Sequence, residues 1–262
     1  MATQASRKKS SASTTKSKTK HPIRVVPLYP HVRDAAAPAP QLTYRNGPLL
    51  TNVQVFCIFW GNAWQTAANA SLSQQLISFF DFILTSSLID QLAEYSVPGQ
   101  SIGHGARIGS LNLTSSEPGN SVDDSAIQQM LQAQIDAGVL PASTPNTLYF
   151  LYLPPGTTVT MSDGSASCKD FCGYHSATPN NVFYAVMPYP GCTGCQGGLD
   201  TFPVICSTSS HELCEAITDP IPGQGWYDDN HGEIGDICAW KTKQVGNYTI
   251  QQEWSNQLSS CV

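Results

Sequence analysis

Between Lys169 and Lys241 the chain has no lysine or arginine, yet that interval carries nine acidic residues and three histidines. Seven of the acids fall between Glu212 and Asp236, in a stretch rich in glycine. Crowded carboxylates repel one another and lose hydration on burial, so such a segment either stays solvated or folds around something cationic. A bound metal ion is the economical solution, and it constrains what the C-terminal third can become.

Inside this segment, His211-Glu212-Leu213-Cys214-Glu215 lies on a run from Pro203 to Thr218. Val204, Ile205, Leu213, Ala216 and Ile217 mark a helical stripe there, and Asp219-Pro220 stops it. At i and i+4, His211 and Glu215 project from one face and can grip one ion. Glu212 flanks that ion, the position from which a carboxylate takes a proton from metal-activated water. The pattern is the zincin H-E-x-x-H with Glu in place of the second His. A third ligand is expected from Gly232-Glu233-Ile234-Gly235-Asp236, with Asp236 first and Glu233, His231, Asp228 and the distant His175 as alternates. Tyr227 is a candidate oxyanion donor. Zinc leads as the ion, and hydrolysis of a peptide or protein substrate is the chemistry it suits. Calcium is the alternative, through the oxygen-rich set Asp228, Asp229, Glu233 and Asp236. The competing reading of His211–Glu215 is a solvated helix face near an N-terminus, where the dipole favours acids.

The rest of the chain predicts an α/β (α+β) domain with a mixed sheet and flanking helices. Asn52–Phe59, Leu148–Leu153 and Val182–Met187 are apolar, β-branched or aromatic runs bounded by Gly and Pro, as buried strands should be. Ser71 with Gln74 forms a capping box ahead of Leu72, Leu76, Phe79, Phe80, Ile83 and Leu84, which recur at helical spacing. A short helix follows over Leu88–Tyr95, and another over Asp123–Ala137 ends at Gly138. Residues 41–262 are read as one domain. Residues 1–40 are read as a disordered basic tail and an Ala/Pro linker, because Ser6–Lys20 lacks any apolar run and Ala35–Pro40 is linker-like.

Seven of the thirteen cationic residues lie at or before Arg24, so the body is strongly acidic, which argues against nucleic acid as the main partner. No run of 18 apolar residues offers a membrane span, and the start lacks a signal-peptide core. Of nine cysteines, Cys168 with Cys172, Cys192 with Cys195, and Cys238 with Cys261 suggest three local disulfides in an oxidising compartment. Cys57, Cys206 and Cys214 are left as buried apolar residues. A four-thiolate zinc site from the two close pairs is the alternative.

Several blocks occur in a familiar order: Tyr44-Arg45-Asn46-Gly47-Pro48-Leu49-Leu50, Ile58-Phe59-Trp60-Gly61, Leu76–Leu84, Phe171-Cys172-Gly173-Tyr174-His175 and Cys192–Cys195. Together they resemble the plant EXORDIUM (phosphate-induced) proteins over about Tyr44–Tyr227. The resemblance implies an extracellular or cell-surface setting and a cell-wall or extracellular carbohydrate partner. The plant pattern lacks the His-Glu-x-x-Glu and Gly-Glu-Ile-Gly-Asp blocks, so the chain looks more like microbial relatives that carry a zincin-like metallopeptidase motif.

Overall fold

Alternate side chains of three buried strands serve two separate cores, and this period-two pattern builds the architecture. Val55, Cys57, Phe59, Leu148, Phe150, Tyr152, Phe183, Ala185 and Met187 face one core. Phe56, Ile58, Trp60, Tyr149, Leu151, Tyr184 and Val186 face the other. A sheet apolar on both faces must be covered on both, and helices do this. The computed structural model describes residues 25–30 and 38–262; the expected Ser6–Lys20 tail and Ala35–Ala37 of the linker lie outside them.

The helices are α1 (Ala67–Ile83), α2 (Ser87–Leu92), α3 (Asp124–Asp136), α4 (Thr193–Gln196) and α5 (Thr201–Thr218). Residues of α1, α2 and α5 join the first core, and Ile127 and Leu131 of α3 join the second. Leu76, Phe79, Phe80 and Ile83 of α1 are fully buried, each contributing about 1.5–3 kcal/mol of apolar burial. The six-stranded sheet runs in the order Val25–Pro27, Phe171–Ala177, Phe183–Met187, Thr147–Tyr152, Gln54–Trp60, Ala106–Leu113. The last four strands are mutually parallel, while Phe171–Ala177 is antiparallel to both of its neighbours. The result is a mixed α+β fold, as the sequence predicts.

Several expectations are corrected. Helix α1 begins at Ala67 after the N-cap Thr66, so Ser71 lies inside it and caps nothing; the good helix formers Ala67, Ala68 and Ala70 extend it backwards. Val25–Pro27, placed in the tail by its neighbours' composition, is an edge strand of the sheet, and Trp240 Nε1 donates to the Pro27 carbonyl at 2.8 Å. The close cysteine pairs are not bonded within themselves. Cys168 joins Cys192 and Cys172 joins Cys195, while Cys238 joins Cys261 as expected. Packing decides the pairing: Cys168 in its turn and Cys172 on the strand both lie against the short helix Thr193–Gln196 and its N-cap Cys192, which brings each to a partner 5.8 or 5.4 Å away between Cα atoms, within the reach of a disulfide. Those four sulfurs are consumed, which removes the four-thiolate zinc alternative. Cys57, Cys206 and Cys214 are free and buried. Among the described residues, no single helix is long and apolar enough to cross a membrane.

Candidate metal centre

The centre is assembled by one helix, one strand and one glycine-rich segment. Helix α5 is buried all round from Val204 to Thr218, which a helix can be only when packed on every side. The sheet strand Phe171–Ala177 approaches it closely because Gly173 lacks a side chain; a Cβ there would stand 2.9 Å from Thr208 Cγ2. Two residues further along, His175 Nδ1 lies 3.0 Å from Glu212 Oε2 and 3.5 Å from Glu215 Oε2. Its Nε2 lies 3.1 Å from the Asp219 carbonyl oxygen. That oxygen only accepts, so Nε2 carries the proton.

From the other side, the 232–236 segment lays its backbone on the helix. A Cβ on Gly235 would stand 2.8 Å from Cγ and Nδ1 of His211 and 2.9 Å from Glu215 Oε1. The close approach lets the Asp236 amide donate to Glu215 Oε1 at 3.1 Å, and the Glu233 amide donate to Asp236 Oδ2 at 3.1 Å. Gln251 fixes this segment, donating from its side chain to the Gly235 carbonyl at 2.9 Å and from its amide to Ser210 Oγ at 2.9 Å. His211 Nε2 stands 2.9 Å from Glu215 Oε1 without hydrogen-bond geometry.

His175, His211, Glu212, Glu215, Glu233 and Glu253 are each fully buried. Asp236 is the partly exposed member of the group. Burial alone would depress both histidines, but the carboxylates around them outweigh it and hold both well above the ordinary value. Burial likewise opposes ionisation of Glu215, yet His211 and His175 bring it down to about 2. Burial raises Glu212, and it drives Glu233 and Glu253 well above the usual carboxylate range.

Even so, both ring nitrogens of His211, Glu212 Oε1, Glu215 Oε2 and both carboxyl oxygens of Glu233 and Glu253 lack hydrogen-bond partners. A buried carboxylate left unpaired costs several kcal/mol (about 3–5 when a partner is removed), so this donor set fits a cation. Two trios within this cluster have ligand atoms mutually within 4.8 Å: His211, Glu215 and Asp236, and His175, Glu212 and Glu215. The solvated-face reading of His211–Glu215 is overturned by complete burial.

The first trio is the ligand set expected from the sequence, and Glu212 lies beside it. His175, the remotest alternate, sits at the heart of the cluster. Asp228 is occupied elsewhere, accepting from Gln41, Asn230 and His231 amides at 2.8, 2.8 and 3.0 Å and facing His231 Nδ1 at 3.0 Å. Asp229 pairs with Arg45 at 2.7 Å. The four-oxygen calcium set is therefore not gathered, because its first two members shape the turn. Tyr227 pairs through its strand with Thr43–Tyr44, and its ring lies 4.6 Å below the Arg45 guanidinium. Asp219 and Glu253 escaped the sequence reading. Asp219 accepts from the amides of Gly223, Gln224 and Gly225 at 2.6, 3.0 and 2.5 Å, so it builds the turn after α5. Glu253 follows the hairpin strand Tyr248–Gln251 in the mostly polar run Gln251-Gln252-Glu253-Trp254-Ser255-Asn256, which carries no sign of burial. No protein-family model matches the chain, and no curated protein matches it.

Proposed function

We propose that the chain is a zincin-like metallohydrolase acting on peptide bonds outside the cytoplasm. The observation that carries this reading is the meeting of His211, Glu215 and Asp236 around orphaned buried atoms, with Asp236 at the solvent edge. A catalytic ion needs protein ligands plus a position that solvent and substrate reach. When bound, zinc supplies Lewis acidity, polarising a carbonyl and making water acidic near neutral pH. His211, Glu215 and Asp236 would hold the ion. Glu212 Oε1, which has no other partner, accepts the proton and returns it to the leaving amine. His175 keeps the other oxygen, Oε2, at 3.0 Å and so fixes the carboxylate's orientation. The three disulfides suit an oxidising extracellular setting.

The full burial of Glu212 and Glu215 favours a second reading: a non-catalytic, EXORDIUM-like extracellular module whose ion is structural. Glu212→Gln separates the two. In a screen of peptide libraries, the hydrolase reading expects wild-type cleavage and a loss of at least about 100-fold in the variant, the usual scale for general-base catalysis, with zinc still bound in a His211-dependent manner. A zinc-loaded wild type that cleaves nothing supports the module.

A further inference from the structure

We propose that the centre holds two divalent metal ions, with Glu215 bridging an outer position (His211, Glu215, Asp236) and an inner one (His175, Glu212, Glu215). The inference deepens the proposed function and rests on its outer ion, though not on catalysis.

Three observations carry it. First, the two trios share one residue but use different oxygens: Glu215 Oε1 lies 2.9 Å from His211 Nε2, while Oε2 lies 3.5 Å from His175 Nδ1. A carboxylate presenting one oxygen to each of two ligand groups is placed as a bridge. Oε2 has no hydrogen-bond partner although it is buried, which the outer ion alone leaves unexplained.

Second, His175 is oriented as metal-binding histidines are. Its Nε2–H is hydrogen-bonded to the Asp219 carbonyl at 3.1 Å, with Glu233 Oε1 beside it at 3.5 Å, which fixes the ring and leaves Nδ1 to face Glu212 and Glu215. Between Nδ1 and Glu212 Oε2 there is now one shared proton, and a metal ion takes the place of that proton. Glu212 then ligates through Oε2 and keeps Oε1 for proton transfer.

Third, Glu212, Glu215, Glu233 and Glu253 are four fully buried carboxyl groups. Were all four ionised beside Asp236, one divalent ion at the outer trio would neutralise at most two of their five charges, and the rest would have to hold protons instead. A second ion brings the cluster near balance. The imidazole nitrogen in each trio points to zinc or another first-row divalent metal rather than calcium or magnesium.

The test is a metal titration of the full chain after chelator treatment, using Co2+ followed by its visible absorption and zinc followed by equilibrium dialysis. Wild type is expected to saturate at two equivalents, and His175→Ala and His211→Ala at one each. Saturation of wild type at one equivalent, abolished by His211→Ala and untouched by His175→Ala, overturns the inner position and leaves the outer reading standing. One equivalent that depends on His175 and not on His211 defeats the outer reading and the bridge together. Two equivalents that persist in a folded His175→Ala place the second ion elsewhere and overturn the proposal. Should His175→Ala not fold, manganese decides on the wild type: an exchange-coupled electron paramagnetic resonance signal supports a bridged pair, and two independent six-line signals refute it.

Discussion

Tyr174 and His175 are consecutive on one strand, point to opposite faces of the sheet, and both meet buried carboxyl groups, but the two sides treat them differently. On the α3 side, Asp124 accepts from the hydroxyls of Tyr174 and Tyr184 at 2.7 and 2.8 Å and from Gln128 Nε2 at 2.7 Å. It also sits in the first turn of α3, where the helix dipole favours negative charge. Neutral donors thus close its shell from within the protein. On the α5 side, five carboxyl groups and two histidines crowd together; neither oxygen of Glu253 is hydrogen-bonded, and Glu233 has only His175 Nε2 at 3.5 Å, without a hydrogen bond. A sheet face can therefore bury a carboxylate by supplying donors, or by withholding them and keeping a demand for a cation. The second arrangement is the one expected of a metal centre.

The largest test of this contrast is metal addition. For chelator-stripped protein, an ion at 1,000 times its dissociation constant should stabilise by about 4 kcal/mol. In a domain of this size that corresponds to a rise in Tm of about 8–16 °C, measured by scanning calorimetry. A Tm indifferent to zinc, manganese and cobalt would erase the difference between the two faces. Next in size is Gly235→Ala, whose methyl would meet the His211 ring at 2.8 Å and Glu215 Oε1 at 2.9 Å. Overpacking of this kind costs about 1–3 kcal/mol, and here it should also abolish the gain from metal in urea unfolding. Asp124→Asn should cost a similar amount, about 1–3 kcal/mol, but preserve that gain in full, since it disturbs only the satisfied side.

What the sequence made legible follows from where its signals are local. The run Gln54–Trp60 has one side chain for each core at alternate positions, and Asp123 caps α3 three residues before Ala126, whose amide it receives at 3.0 Å. The trio His211, Glu215 and Asp236 was equally readable, because two members share a helix face and the third stands between glycines that permit close approach. His175 was legible only as the most distant alternate: its strand contains Gly173 and Ser176 and reads poorly as β, and its distance to Glu212 is set by α5 packing across 37 residues. The pairing of the two close cysteine pairs was hidden for the same reason, since spacing reports neighbours along the chain and these bonds connect the turn and strand at 168–172 to the short helix Thr193–Gln196 and its N-cap. Val25–Pro27 is three residues long beside a strongly basic stretch, too short for periodicity to outweigh composition.

The smallest effect distinguishes the two kinds of buried acid by pH. In stripped protein, burial raises Glu233 well above 4.5, an effect His175 opposes and Glu215, Asp219 and Asp236 reinforce. Above that pH the folded state keeps a proton the unfolded chain has lost, so stability falls as pH rises, by at most about 1.4 kcal/mol per pH unit for one group. The two raised histidines act in the same direction above 6.5, where unfolded histidines release their protons. Glu215 acts oppositely but only between 4.5 and about 2, losing its contribution as pH falls. Glu233→Gln removes one titration and should flatten the decline measured by urea unfolding between pH 5 and 7, at no cost to the stripped protein. Metal should invert the trend altogether, because its ligands must shed protons to bind it and the stabilisation then grows with pH. An unchanged slope in Glu233→Gln would mean that Glu233 finds donors in solution, and the two faces of the sheet would then differ in degree rather than in kind.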